Sequence, residues 1–259
     1  MTTPGALLYG LVCDLKISII FCTRLPLAHA KPIASSDIAG ASWAMPIAGA
    51  LVGLIGAAVY WLTSAIGLPP FSAAALALVA TLIATGCLHE DGLADTADGF
   101  GGGNSRERKL EIMRDSRIGT YGACALVMSL MLRWSALASI ADPVAAAMAL
   151  IAAHAAARAP LPAFMRFVPP ARTDGLAAEA GGPPREGAAA ASFFRAVALG
   201  LCLGPGAVII GLLLLSSAAI LMAWLSVRQI GGQTGDVLGA LEQINEILIL
   251  LTAAALVKV

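Results

Sequence analysis

Charge is what this chain has least of: of its 259 residues only 12% are Asp, Glu, Lys or Arg, and only 5% are aromatic. So little charge against 59% apolar residues excludes both a disordered polypeptide and an ordinary water-exposed surface. Basic and acidic residues balance at 16 each, which leaves no net attraction to nucleic acid. Cys13, Cys22, Cys87, Cys124 and Cys202 lie scattered among apolar neighbours, odd in number and without metal-type spacing, so neither a disulfide framework nor a zinc site is expected. No basic segment precedes the first apolar stretch, and no removable signal peptide is expected.

What is there is apolar sequence long enough to cross a bilayer, recurring from Met45 to the C-terminus. The expected fold is all-α: one polytopic transmembrane helix bundle over 1–259, with about seven spans after an interfacial N-terminal helix. That first helix, Ala6 to Phe21, carries Asp14 and Lys16 and leads into a polar connection up to residue 44. Spans are expected at Met45–Ile66, from Phe71 into the acidic stretch below, up to Ile140, across Val144–Val168, on each side of Gly204-Pro205-Gly206, and from Asp236 to Val257. Gly49, Gly53 and Gly56, about one turn apart, would let a neighbouring helix approach closely. Connections at 22–44, 99–119, 169–194 and 228–235 carry Lys or Arg, whereas those at 67–70, 141–143 and 204–206 carry none. By the positive-inside rule the basic connections are cytoplasmic, so the loops at 89–119, 169–191 and 228–236 share one side.

The scarce charge is concentrated. His89-Glu90-Asp91-Gly92-Leu93-Ala94-Asp95-Thr96-Ala97-Asp98-Gly99 places four carboxylates within nine residues, directly after the apolar run from Phe71 to Leu88. On a helix Asp91, Asp95 and Asp98 fall at i, i+4 and i+7, within about 60° of one another. Such a stripe repels itself unless a cation sits on it, and hard oxygen ligands suit Mg²⁺ or Mn²⁺ better than zinc. The alternative is a solvated helix end. Next come a glycine-rich loop, Gly99 to Asn104, and the basic segment Ser105 to Arg117, whose Lys109, Arg114 and Arg117 are candidates for a diphosphate or simply for a charged surface helix. His154 and Arg158 stand at i and i+4 inside an apolar span and mark either a buried site or a snorkelling Arg. The Gly- and Pro-rich loop 169–191 is expected to be mobile and able to cover a substrate. Asp236 reads as a helix N-cap or as a further metal ligand, and Glu246 lies deep enough to need a partner.

Three strings in order carry a resemblance: the acidic stretch, Asp115-Ser116-Arg117-Ile118-Gly119-Thr120-Tyr121-Gly122, and Gly232-Gln233-Thr234-Gly235-Asp236-Val237-Leu238-Gly239-Ala240. Together they resemble the cobalamin synthase family, the adenosylcobinamide-GDP ribazoletransferases, from Phe21 to the final helix. Glu90 departs from the pattern, where an apolar residue is expected. The resemblance implies a Mg²⁺-dependent phosphotransferase of the cell inner membrane, acting toward the cytoplasm. The 5′-hydroxyl of α-ribazole, or its 5′-phosphate form, would attack adenosylcobinamide-GDP and release GMP. On that reading Asp91, Asp95, Asp98 and Asp236 hold the metal, and Lys109, Arg114, Arg117 and Arg158 bind substrate. Asp98 is the preferred general base, with His89 its rival, although His89 would lie about 160° round the helix from Asp91. A homo-oligomer in the bilayer is compatible with it. Two alternatives stand beside it: a CDP-alcohol phosphotransferase of phospholipid synthesis, though the spacing of Asp91 and Asp95 does not fit its pattern, and a cation- or proton-coupled transporter.

Overall fold

The computed structural model describes residues 4–29 and 32–257; Lys31, one of the basic residues expected in the first connection, lies outside them. Thirteen α-helices occur among the described residues. In chain order α1 (Pro4–Cys22), α2 (Ser35–Ala41) and α3 (Met45–Ala65) precede α4 (Pro70–Thr85), α5 (Leu88–Gly102) and α6 (Arg106–Ile112). Next come α7 (Thr120–Ile140), α8 (Pro143–Arg158), α9 (Leu161–Phe167) and α10 (Leu176–Ala180). The chain closes with α11 (Arg185–Leu203), α12 (Pro205–Ile230) and α13 (Gly235–Val257). The protein is an all-α membrane bundle, as expected.

Among the described residues seven helical segments are long and apolar enough to cross a membrane. They are not quite the expected seven. Gly5–Cys22, expected along the interface, is one of them. Its Asp14 accepts a hydrogen bond from Trp43 Nε1 at 2.9 Å, which satisfies a carboxylate that would otherwise argue against burial. Conversely, the apolar run into the acidic stretch is not one straight helix. Gly86 and Cys87 adopt φ of 64° and 59°, and α4 meets α5 at 89°. Gly86 takes that conformation without strain and leaves room for Arg24, whose side chain a Cβ at this position would strike. One further boundary moves, with α11 beginning at Arg185 and shortening the expected mobile loop, whereas the Val144–Val168 span is kept as Pro143–Phe167, interrupted only at Ala159 and Pro160 between α8 and α9.

Small residues set the packing. A Cβ on Gly53 would stand 2.6 Å from the Leu150 carbonyl oxygen, and one on Gly49 would collide with the His154 carbonyl, so α3 and α8 touch backbone to backbone. α5 crosses α13 in the same way, where a Cβ on Gly239 would come within 3.2 Å of the Gly92 Cα. One apolar core, around Tyr60, Leu137, Leu150 and Leu215, fills one end of the bundle. A second, around Ile17, Met45, Phe164, Ile230 and Leu241, fills the end that bears the basic connections.

Those connections do converge. Arg106 donates from Nε to the Ile230 carbonyl at 2.8 Å and from Nη2 to the Ala171 carbonyl at 2.6 Å, tying α6 to two other loops. Lys109 Nζ bonds the Gln229 side chain, and Arg114 pairs with Asp174 at 2.6 Å. The Pro169–Ala171 segment runs beside Gln233, with Gln233 N donating to the Pro169 carbonyl and Ala171 N to the Gln233 carbonyl, both at 2.8 Å. The acidic helix, the basic helix, the 169–191 loop and the Gly-Gly-Gln-Thr-Gly-Asp segment therefore occupy one end of the molecule.

Candidate active site

α5 presents two faces, and the carboxylates divide between them. Asp91 is exposed and Asp95 half-buried; neither side chain makes a hydrogen bond or ion pair among the described residues. The charged neighbours of Asp95 are acids: Asp91, Asp236 and Asp98. Asp236 arrives from α13 through the glycine crossing, since its carbonyl oxygen lies where a Cβ on Gly92 would need to be, 2.8 Å away. Sequence offered Asp236 as an N-cap, but Thr234 takes that role by accepting from Val237 N at 3.3 Å. Asp236 is left as a half-buried carboxylate held by Arg172 at 3.3 Å and by the Thr234 hydroxyl at 3.1 Å.

Asp98 is different. Its Oδ2 accepts from Gly119 N at 2.7 Å and its Oδ1 from Gly122 N at 2.8 Å. Both oxygens thus fasten the N-terminus of α7, where free backbone N–H groups need acceptors. A Cβ at Gly119 or Gly122 would strike this carboxylate, which accounts for two glycines of the Asp115–Gly122 string. Expected as general base and metal ligand, Asp98 is engaged at both oxygens by these backbone N–H groups and lines neither of the two cavities beside α5.

His89 and Arg158 move as well. Arg158 is buried, ion-paired to Glu242 at 2.6 Å and bonded to the His154 carbonyl at 2.9 Å. It is part of an interior network and is not free to bind a diphosphate. His89 Nδ1 lies 3.4 Å from Arg158 Nη2 and 3.7 Å from Glu242. Glu90, the departure from the family pattern, pairs with Arg133 at 3.0 Å; Arg133 also pairs with Glu246 at 3.1 Å, and Glu246 with His154 at 3.2 Å. Glu246 therefore has the partners its depth demands. Sequence reading missed Arg133, although a lone arginine in the apolar run up to Ile140 is the signal that marked Arg158. Among the described residues the one group of three ligand-type side chains whose atoms all come within 4.8 Å is His154, Glu242 and Glu246, and the two buried arginines already neutralise its acids.

The basic candidates line the opening. Arg114 and Arg117 share a cavity of about 510 Å³ with Asp91, Asp95, Leu126 and Leu130. Arg117 is exposed and holds Asp115 at 2.6 Å, keeping that carboxyl down at about 2; Arg114 likewise lowers Asp174. Lys109 is turned to Gln229 and does not line this cavity. On the other side of α5 a second cavity of about 260 Å³ is lined by Phe21, Met45, Leu161 and Met165, with His89, Asp91 and Asp236 in its wall. Asp91 borders both.

Fold and site together define a class: a polytopic helical membrane protein that gathers unpartnered carboxylates and exposed arginines at one end of its bundle, equipped for charged-group transfer chemistry. The comparisons with known proteins supply the particular family. Residues 14–254 match the family model described as cobalamin-5-phosphate synthase, and the chain belongs to that family. It is 60% identical over 95% of both chains to the adenosylcobinamide-GDP ribazoletransferase of Bradyrhizobium diazoefficiens. It is 54% identical to the protein of that name from Mesorhizobium japonicum, covering 93% of this chain and 92% of the relative. It is 46% identical to that of Azorhizobium caulinodans, covering 93% and 95%. No solved structure matches.

Proposed function

We propose that this protein is a Mg²⁺-dependent adenosylcobinamide-GDP ribazoletransferase of the cell inner membrane, with its active site on the cytoplasmic side. The observation that carries the reading is the unpartnered pair Asp91 and Asp95, brought against Asp236 at the α5–α13 crossing in a chain of this family. Three carboxylates with one arginine between them suit a hard divalent cation by donor chemistry: oxygen ligands, more than one negative charge, and room for phosphate oxygens. Asp91, Asp95 and Asp236 would hold it. When bound, the cation neutralises diphosphate charge and lowers the barrier to nucleophilic attack on phosphorus.

The protein groups do the rest. Arg114 and Arg117 face the diphosphate from the larger cavity and stabilise the departing GMP. The attacking group is a ribose hydroxyl left free in both α-ribazole and its 5′-phosphate, not the expected 5′-hydroxyl, which the 5′-phosphate form lacks; it attacks the phosphorus that carries the cobinamide. A new P–O bond forms, the bridging P–O bond breaks, GMP leaves, and the hydroxyl proton passes to the protein. In this reading His89 receives it, supported by its position in the lining of the smaller cavity with Asp91 and Asp236, whereas Asp98 lines neither cavity. The positive-inside rule, applied to the basic connections, supports a cytoplasmic acidic end. The CDP-alcohol and transporter readings gain no support: the family match runs from residue 14 to 254, and the interior acids that a transporter would use are locked to arginines.

The test is GMP release by purified protein in lipid, supplied with Mg²⁺, adenosylcobinamide-GDP and α-ribazole. Wild type is expected to turn over, and Asp95→Asn to lose about 10²- to 10³-fold in kcat while keeping its thermal transition. Wild-type silence with these substrates overturns the activity, and full activity of Asp95→Asn overturns the metal site.

A further inference from the structure

A transfer between two large substrates needs two compartments that meet at the reacting phosphorus, and α5 separates two cavities that share Asp91. Their chemistry differs sharply. The larger, about 510 Å³, carries Arg114 and Arg117, with Glu90, Asp91, Asp95 and Asp115 also in its wall. The smaller, about 260 Å³, has no Lys or Arg in its lining; apolar side chains from α1, α2, α3, α9 and α13 surround it, and its polar groups are His89, Asp91 and Asp236. A nucleoside diphosphate finds no cationic side chain in that wall, whereas the first cavity offers it two arginines. A neutral, flat, apolar ring is suited to the second.

Resting on the activity proposed above, we infer that the smaller cavity is the nucleophile's compartment: it binds the bicyclic heteroaromatic base of α-ribazole between Phe21, Ile38, Met45, Leu161, Met165 and Leu238. The volume selects in the same direction, being near the lower end of ligand pockets, roughly 300–1,000 Å³, and too small for a corrin macrocycle. Seated there, the base directs its ribose toward Asp91 and Asp236, with His89 beside it. The corrinoid and its diphosphate approach through the arginine-lined cavity from the other side of the helix. Specificity for the base then resides in residues of α1, α2, α3, α9 and α13, and specificity for the nucleotide in the segment 113–117.

Filling each compartment separately tests the assignment. Leu238, half-buried, borders only the small cavity and Leu126 only the large one. In lipid nanodiscs Leu238→Trp is expected to raise both the dissociation constant for α-ribazole and its KM about tenfold or more, leaving KM for adenosylcobinamide-GDP unmoved. Leu126→Trp is expected to do the reverse. If Leu238→Trp raises KM for adenosylcobinamide-GDP instead, the compartments are exchanged and the inference fails. If it moves neither constant, the cavity belongs to a lipid chain or to no substrate, and the inference fails. Wild type offers a check that needs no variant: free 5,6-dimethylbenzimidazole should compete with α-ribazole and not with adenosylcobinamide-GDP, and absence of competition overturns the proposal. Failure of wild type to release GMP at all overturns the activity itself, an outcome distinct from these.

Discussion

Helices α5 and α13 each carry acids to two places, and the places are opposites. Inside the bundle Glu90, Glu242 and Glu246 are met by Arg133 and Arg158 at 2.6 to 3.1 Å. At the end of the bundle Asp91 and Asp95 have no basic partner among the described residues, and Asp236 has Arg172 alone, at 3.3 Å. Acid content does not distinguish the two groups; the supply of arginine does. A buried carboxylate cannot stay ionised without a counter-charge, so the interior set had to be matched within the fold. An exposed set can wait for a ligand.

The largest expected effect comes from breaking the interior match. Arg133→Leu leaves Glu90 and Glu246 facing each other without their shared cation, and should cost about 3–5 kcal/mol, read as a lower unfolding midpoint in detergent. Removing the acid too, as Arg133→Leu with Glu246→Leu, should cost less than the sum of the single changes, because the pair is coupled. Asp95→Asn belongs to the other group and should leave the midpoint unchanged, or raise it when no divalent cation is present. Similar destabilisation by both would erase the distinction.

Smaller effects sharpen the comparison at the rim. Arg114→Ala should raise KM for adenosylcobinamide-GDP about tenfold by removing a charge-assisted contact to its diphosphate, without altering KM for α-ribazole. Asp98→Asn should cost about 1 kcal/mol of stability, since at best one of the two hydrogen bonds it accepts from backbone N–H groups survives, while the Mg²⁺ dependence of turnover keeps its midpoint. A shifted Mg²⁺ midpoint would return Asp98 to the metal site.

Much of this was legible in the sequence, and what was not has physical reasons. Helix class, the basic end and the face shared by Asp91 and Asp95 follow from hydropathy, charge placement and a period of 3.6 residues. The close approach at Gly49 and Gly53 was readable because only small residues allow it. The hydrogen bonds to Asp98 were not legible because periodicity places a side chain on a face but says nothing of which distant N–H groups arrive there, and Gly119 and Gly122 lie 21 and 24 residues away. The pairing of Arg158 was hidden for a similar reason: an interior arginine signals a partner, and that Glu242 is one is a tertiary fact. The bend at Gly86 and Cys87 was hidden by unbroken apolar sequence on the α4 side. Two adjacent residues at positive φ, one of them not glycine, give no composition signal strong enough to end a helix.

The smallest expected effect concerns an ion pair at the rim of the larger cavity, one member of which faces the diphosphate. Asp115 and Arg117 sit in a family-like string and share the larger cavity with Asp91, yet they hold each other at 2.6 Å in solvent. The hydrogen bonds from Arg117 keep the Asp115 carboxyl down at about 2, below its ordinary 3.8. A carboxyl so lowered favours the folded state above its ordinary value and loses that contribution only as pH falls toward 2. Because the pair is exposed, water and salt screen it and no measurable stability is expected from it. Between about pH 5 and 9 neither member changes charge, so the profile of kcat against pH should carry no inflection from Asp115. Asp115→Asn should give a profile that superimposes on wild type, with a lower KM for adenosylcobinamide-GDP because Arg117 is released toward the diphosphate. A displaced acidic limb would show instead that Asp115 handles a proton during turnover, and would move the string Asp115-Ser116-Arg117 from the rim of the site to its centre.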